Sequence, residues 1–284
     1  MVSQNDNVPP RFFDSALLER RRQRARALGA ETFLLDRVAG DMTDRLGAVL
    51  RTFSQAADLG SPTDAVASAL ALLAKTIERV ALPQNDSDGL PLAPASFDLA
   101  VSALALQFVN DLPGTLAQIR RALKPDGLFL AALVGGDTLT ELRQSFAAAE
   151  TEIEGGLSPR VAPMIEVRDA GSLLQRAGFA LPVTDVDRIV VRYDNAFALM
   201  RDLRRMGATN VLNERRRMPL RRATLLRMAQ IYSERFADAD GRIRATFDIV
   251  WMSGWAPHES QPKPLKPGSG KMSLEEAVKG KSKS

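Results

Sequence analysis

Apolar residues recur at helical spacing in some stretches and as short continuous runs in others, and the two kinds alternate along the chain. Residues 14–28 predict a basic helix with Asp14 as its N-cap, and 31–50 predict a second, with Phe33, Leu34, Val38, Met42, Leu46, Val49 and Leu50 on one face. Gln55–Gly60 reads as a strand, Ser61–Ala74 as a helix with Pro62 in its first turn, and Thr76–Val80 as a second strand. Phe97–Ser102 is a buried-strand run, Leu112–Leu123 is helical, and Lys124-Pro-Asp-Gly127 predicts a turn into the apolar strand Leu128–Val134. The next helix spans Asp137–Glu150, with a capping box from Thr138 to Glu141. Val167–Ala177 is a helix ended by Gly178, and Val183–Tyr193 alternates toward β. Ala196 to about Ala237 is helical, broken near Gly207–Asn210 and at Pro219, and Ile243–Trp251 returns to strand. From about His258 the Pro-, Lys- and Ser-rich end predicts an extended tail.

Strands alternating with helices imply βαβ units and a mostly parallel sheet, whose ligands sit beyond the carboxyl ends of the strands at the switch point. Function is therefore expected just after Asp58–Gly60, near Asp86–Asp88 and after Ser102. The helical stretch from about Asn195 to Asp240 is too large for a hairpin turn between two strands. It is expected to lie over the sheet's active edge as a cap, its Arg215–Arg217, Arg221 and Arg222 facing an acidic partner.

Composition narrows the chemistry. The chain has 284 residues, enough for one large core or a core with a cap. It contains no cysteine, which excludes disulfides, thiolate metal sites and a cysteine nucleophile, and suits a reducing cytoplasm. With one histidine, His258, imidazole metal sites are excluded and a Ser-His-Asp triad is disfavoured, so chemistry must come from a cofactor or from carboxylates. No apolar run is long enough to span a bilayer, and the acid-bearing N-terminus carries no apolar leader segment. The net charge of +4 is mild, although arginines cluster at Arg20–Arg22, Arg24 and Arg26 as well as in the insert. Without interleaved aromatics or a recognisable module, those clusters read as solvated basic faces rather than a nucleic-acid surface.

Ala57-Asp-Leu-Gly-Ser-Pro-Thr-Asp64 resembles the glycine-rich first motif of class I S-adenosylmethionine-dependent methyltransferases, in which glycines admit the ligand and a helix N-terminus favours an acidic group. Three further matches follow in order: Asp86 before Leu90-Pro91, Ala95–Ser102 as the fourth-strand motif, and Leu123–Leu130 as the turn into the fifth strand. Leu104–Pro113, Gly135–Leu139, Glu154–Pro159, Arg204–Gly207 and Gly254–Gln261 narrow the resemblance. Together they look like the respiratory complex I assembly-factor-5 type of methyltransferase-like protein, which is related to the biotin-pathway malonyl-carrier-protein methyltransferase. The resemblance runs from about Arg11 to Leu274.

It implies a Rossmann-like class I methyltransferase sheet with helices on both faces and a helical cap inserted before the last strand. The expected layout is a basic N-terminal helix (1–30), the core (31–194), the cap (195–240), the last core strand (241–256) and a flexible tail (257–284). The resemblance further implies S-adenosyl-L-methionine as cofactor, held by Asp58, Gly60, Ser61, Asp86 and Ser102, with no metal and no assigned catalytic base. The implied activity is modification of a protein, such as a complex I subunit. Its competitors are a catalytically degenerate assembly chaperone, an arginine hydroxylase, and a malonyl-carrier carboxyl methyltransferase. The sequence departs from the motif at Pro62 and Asp64, where glycines are usual. Proline removes a donor, and Asp64 is expected to repel the cofactor carboxylate by about 1–4 kcal/mol. The second strand ends without a clear acid for the ribose hydroxyls, Glu78 being nearest.

Overall fold

The computed structural model describes residues 11–83 and 88–262. Six strands form one sheet: β1 (Phe53–Leu59), β2 (Ala74–Val80), β3 (Phe97–Ala103), β4 (Leu123–Gly135), β5 (Ala180–Tyr193) and β6 (Ile243–Trp255), in the order β2-β1-β3-β4-β6-β5. The first four are parallel, and β6 runs antiparallel between β4 and β5. The helices are α1 (Ser15–Ala27), α2 (Phe33–Gly47), α3 (Ala65–Leu70), α4 (Leu112–Ala122), α5 (Thr140–Glu154), α6 (Val167–Arg176), α7 (Ala196–Arg205) and α8 (Arg222–Phe236). This is the expected Rossmann-like α/β architecture.

Side-chain alternation along the strands divides the core into two layers. In β4, Leu128, Leu130 and Ala132 face one side of the sheet, while Phe129, Ala131 and Leu133 face the other. The first layer takes Leu34, Leu35, Val38, Met42 and Leu46 from α2 and Met228, Ile231 and Tyr232 from α8. The second is filled by Leu116 and Ile119 of α4 and by Leu174 and Phe179 around α6, with the Phe129 and Phe179 rings stacked 5.2 Å apart. Each such fully buried side chain contributes ~1.5–3 kcal/mol of apolar burial. The helix after β1 packs into the first layer through Val66 and Leu70, and the helix after β3 packs into the second. The chain therefore leaves β1 and β3 toward opposite faces, which opens a crevice at their carboxyl ends.

Four local readings change. Helix α3 begins only at Ala65, so Pro62 lies in the loop before it rather than in a helical turn. Lys124-Pro-Asp-Gly127 opens β4 with a register shift, Asp126 adopting a φ of 61°. The capping box does not form: Thr138 Oγ donates to the Gly135 carbonyl, and buried Glu141 instead accepts from the Thr246 amide (3.1 Å) and hydroxyl (2.5 Å) on β6. The expected tail is fixed at its start, where Gln261 donates to the Asp126 carboxylate at 3.0 Å and to the Ala256 carbonyl at 2.9 Å. Residues 263–284 lie outside the described residues. Among the described residues, no helix is long and apolar enough to cross a membrane.

The insert between β5 and β6 comprises α7, an irregular segment and α8. Helix α8 packs on α5, and α7 meets α1. The N-terminal strand-like segment joins this cover: Asp14 N–H donates to the Val211 carbonyl at 2.8 Å, and the Asn213 side chain donates to the Arg11 carbonyl at 2.6 Å. Asp14 also caps α1, accepting from the Leu17 amide at 2.9 Å, as expected.

Candidate functional site

Asp58 lies near the end of β1, flanked by β2 and β3, and its side chain is fully withdrawn from solvent. The Ser61 hydroxyl donates to Oδ1, while Oδ2 has no hydrogen-bond partner among the described residues. Burial pushes the Asp58 carboxyl above its ordinary range, although the Ser61 hydrogen bond and Arg79, whose Nε lies 3.7 Å from Oδ2, pull the other way. A buried acceptor left open in this way is costly unless a donor arrives.

That carboxylate borders a cavity of about 390 Å³, also lined by Gly60, Ser61, Pro62, Arg79 and Asp88. Gly60 has a φ of +72°, and a Cβ there would stand 2.6 Å from Leu82 Cδ1 and 3.1 Å from Ala105 Cβ. Glycine is required at this turn both for the left-handed backbone and for the close approach of Leu82.

Of the expected cofactor residues, Asp58, Gly60 and Ser61 converge on this cavity. Ser102 is fully buried and donates to the Leu59 carbonyl at 2.8 Å, bracing β3 against β1 instead of lining the cavity. Asp86 lies outside the described residues, and Asp88 reaches the cavity rim. Glu78 is exposed and takes no part.

The Asp64 side chain is 79% exposed, pairs with Arg79 and does not line the cavity. Arg79, paired in register with Asp58 at the end of β2, also donates to the Ser61 carbonyl at 2.9 Å and the Thr63 carbonyl at 3.0 Å. Arginine thus staples the first turn from the position at which an acid was sought.

A second cavity of about 530 Å³ adjoins the first, with Arg22, Arg26, Pro62 and Phe108 bordering both. Its apolar wall includes Leu35, Leu142, Phe146, Met200 and Phe247, and its cover comes from α1 and from the insert. The sequence reading missed this cavity, because the arginines of α1 have no apolar periodicity and resemble a solvated face. The insert arginines are largely structural: Arg215 pairs with Asp14 at 3.0 Å, and Arg216 and Arg221 both pair with Glu154. Among the described residues no cluster of acids and histidine could hold a metal ion.

Comparison with known proteins places this architecture. A methyltransferase-domain model matches residues 47–131. The Danio rerio protein named mitochondrial arginine-hydroxylase NDUFAF5 is 38% identical over 290 residues, spanning 94% of this chain and 89% of that protein. The chain belongs to the NDUFAF5 family. The Homo sapiens member is 40% identical over 265 residues, spanning 87% of this chain and 76% of its own length. A malonyl-[acyl-carrier protein] O-methyltransferase of Xylella fastidiosa (strain M23) is 40% identical over 178 residues, 63% of this chain and 58% of that enzyme. Among solved structures, the YcgJ protein of Bacillus subtilis superposes with a TM-score of 0.52 at 13% identity, covering 78% of this chain and 98% of YcgJ, a likeness of fold alone.

In this NDUFAF5-family chain, the late segments that carried the resemblance have identifiable structural work. Glu154 ties α5 to the insert through Arg216 and the Thr224 hydroxyl (2.7 Å). Gly207 lets the end of α7 approach α1, since a Cβ there would lie 3.2 Å from Arg22 Cα. Gly136 and Asp137 form a turn on Asp248, which accepts from the Asp137 amide at 3.0 Å and from Arg188 Nε at 2.7 Å.

Proposed function

We propose that this NDUFAF5-family protein binds S-adenosyl-L-methionine in the cavity behind Gly60 and modifies a protein during assembly of respiratory complex I. The reading rests on the buried Asp58 carboxylate, whose Oδ2 lacks a hydrogen-bond partner among the described residues and which borders a cavity also lined by Arg22, Arg26 and Arg79. An acid and cations in one hollow suit a zwitterion, and the amino-acid portion of the cofactor is one. Family membership supports the assembly role and a protein substrate, and the cysteine-free chain suits the cytoplasm.

The cofactor residues in this reading are Asp58, which accepts from the ligand's ammonium, and Gly60 and Ser61, which bring backbone close to it. Asp86 is the acid this reading assigns to the adenine, and Asp88 borders the same cavity. When bound, the cofactor supplies the activated methyl group, so the protein's part is alignment and exclusion of water. The cover formed by α1 and the insert provides the second of these.

A scaffold without catalysis is the competing reading. It is favoured by Arg79, which stands where the ribose hydroxyls would be held by an acid, and by Pro62, which removes one backbone donor from the turn. Titration calorimetry with S-adenosyl-L-methionine separates the two. Micromolar binding, weakened at least about tenfold by Asp58→Asn, is expected for the first reading. No binding by the wild-type chain or by Pro62→Gly supports the scaffold. Mass spectrometry of assembled complex I subunits, with and without this protein, then distinguishes a methyl increment from a hydroxyl increment.

A further inference from the structure

Residues 214–222 of the insert carry five arginines against one acid, Glu214. Three of the five are committed: Arg215 to Asp14, and Arg216 and Arg221 to Glu154 at the end of α5. Arg217 and Arg222 are exposed and meet no carboxylate within ion-pair distance among the described residues. The start of α8 adds to their positive field, because its N-cap, Arg221, supplies no side-chain acceptor and its first turn holds no acid.

Large apolar side chains stand out in the same place. Leu157, Met218 and Leu226 are 69%, 66% and 51% exposed. Glu154 gathers them around one junction. Its carboxylate takes Arg216, Arg221 and the Thr224 hydroxyl, and each apolar residue follows Glu154, Arg216 or Thr224 by two or three positions. Ser158 returns to Glu150 on α5 through its amide at 2.8 Å and its hydroxyl at 2.6 Å, which holds the Leu157 loop against the end of that helix. On α8, Arg222 and Leu226 are four residues apart and share the outer face, opposite buried Thr224 and Met228. A single exposed leucine is ordinary, whereas three large apolar side chains grouped with unpaired cations form an amphipathic surface. The inner side of the same segment walls the larger cavity through Arg215, Arg216 and Leu220. The surface therefore lies on the outside of that cavity's cover.

We propose that this surface docks the protein to be modified, through an acidic segment of that protein. Its apolar residues seat on Leu157, Met218 and Leu226, and its carboxylates meet Arg217 and Arg222, whose guanidinium groups can receive them with paired hydrogen bonds. The inference rests on the reading that the substrate is a protein, and it names the chemistry by which that protein is recognised. A protein segment fits better than an anionic lipid surface, because the apolar residues sit on a loop, a turn and a helix rather than along one helix face.

The test is fluorescence anisotropy on the full-length protein without cofactor, with a labelled peptide of repeated Asp-Leu-Glu units. Peptides of repeated Lys-Leu-Lys and Asp-Ser-Glu units serve as comparisons. The acidic leucine peptide is expected to bind at least about tenfold more tightly than the lysine peptide and severalfold more tightly than the serine peptide. Arg217→Glu with Arg222→Glu should weaken it at least about tenfold, and Met218→Ser with Leu226→Ser should weaken it severalfold. Arg217→Lys with Arg222→Lys should keep part of the affinity, as point charges do. Circular dichroism melting checks that each variant folds. The inference is overturned if the wild-type chain does not bind the acidic leucine peptide, if the lysine peptide binds as well, or if the folded glutamate variant keeps wild-type affinity. It is also overturned if these arginines bind phosphatidylglycerol vesicles in preference to the peptide, which would make the surface lipid-facing. Since no cofactor is present, a failure of S-adenosyl-L-methionine binding leaves the peptide result untouched, and the two readings fail separately.

Discussion

Arg79, near the end of β2, closes on Asp64, the N-cap residue of α3, across the turn that follows β1. The pair removes Asp64 from the ligand side and lets the same guanidinium hold the Ser61 and Thr63 carbonyls. The two members should therefore behave differently when removed. Asp64→Ala breaks an exposed pair, which should cost at most ~1 kcal/mol in urea unfolding. It should leave S-adenosyl-L-methionine affinity within about threefold. Arg79→Ala strands two carbonyls at the turn and should cost ~1–3 kcal/mol, with a clear loss of ligand affinity. A large affinity gain from Asp64→Ala would reinstate the repulsion that the sequence suggested.

Asp58 gives a prediction of opposite sign for stability and binding. Burial raises its carboxyl pKa above the unfolded value of 3.8. Its protonated form is therefore favoured in the folded state, and its stabilising contribution is present below pH 3.8 and lost as pH rises through the folded value. Ionising this buried carboxylate in the ligand-free protein carries a cost. Asp58→Asn should raise apo stability at pH 7 by on the order of 1 kcal/mol while weakening the ligand, a trade typical of binding sites. The gain should shrink as urea midpoints are followed down toward pH 4. A variant equally destabilised at every pH would show that the carboxylate is chiefly a hydrogen-bond acceptor for Ser61.

The parallel sheet was legible because its strands are continuous apolar runs between turn signals, and Asp58, Gly60 and Ser61 because they end the first of them. Glu141 shows where such reading stops. Three residues after Thr138, it has the spacing of a capping box, yet its partner is Thr246, 105 positions away on β6. Local spacing cannot distinguish a helix cap from a cross-sheet contact. Asp64 is similar, since nothing local to it announces the pairing with Arg79 of β2. Arg21 and Arg22 were hidden for a different reason. A run of arginines carries no mark of which side chains are solvated, and only the insert, arriving 189 residues after Arg21 at Asn210, encloses them.

Asp248 should matter for acid stability. Burial alone would raise its pKa, but Arg188 and the Asp137 amide outweigh burial and hold it below 3.8. With a lowered folded value, the stabilisation is present above pH 3.8 and lost as pH falls through the folded pKa. Asp248→Ala leaves the Asp137 amide unpaired at the Gly136 turn and should cost ~2–3 kcal/mol at pH 7. The deficit relative to wild type should narrow as pH falls below 3.8 and through the still lower folded pKa, where the native carboxylate is itself neutralised. A deficit independent of pH across that window would mean that packing, not charge, holds the turn.

Gly207 connects the insert to the arginines of α1. Its φ of +71° is one that side-chain-bearing residues adopt at a cost, and an added methyl would press on Arg22 Cα at 3.2 Å and Cγ at 3.3 Å. Strain of this kind amounts to ~1–2 kcal/mol and is relieved most easily by moving α1 away from α7, because neither helix belongs to the central sheet. Gly207→Ala should therefore lower thermal stability modestly and speed amide exchange in α1. The sheet strands, on which Gly207 makes no claim, should exchange as in wild type. Unchanged exchange in α1 would show that the two helices adjust independently, and that Gly207 serves only the local end of α7.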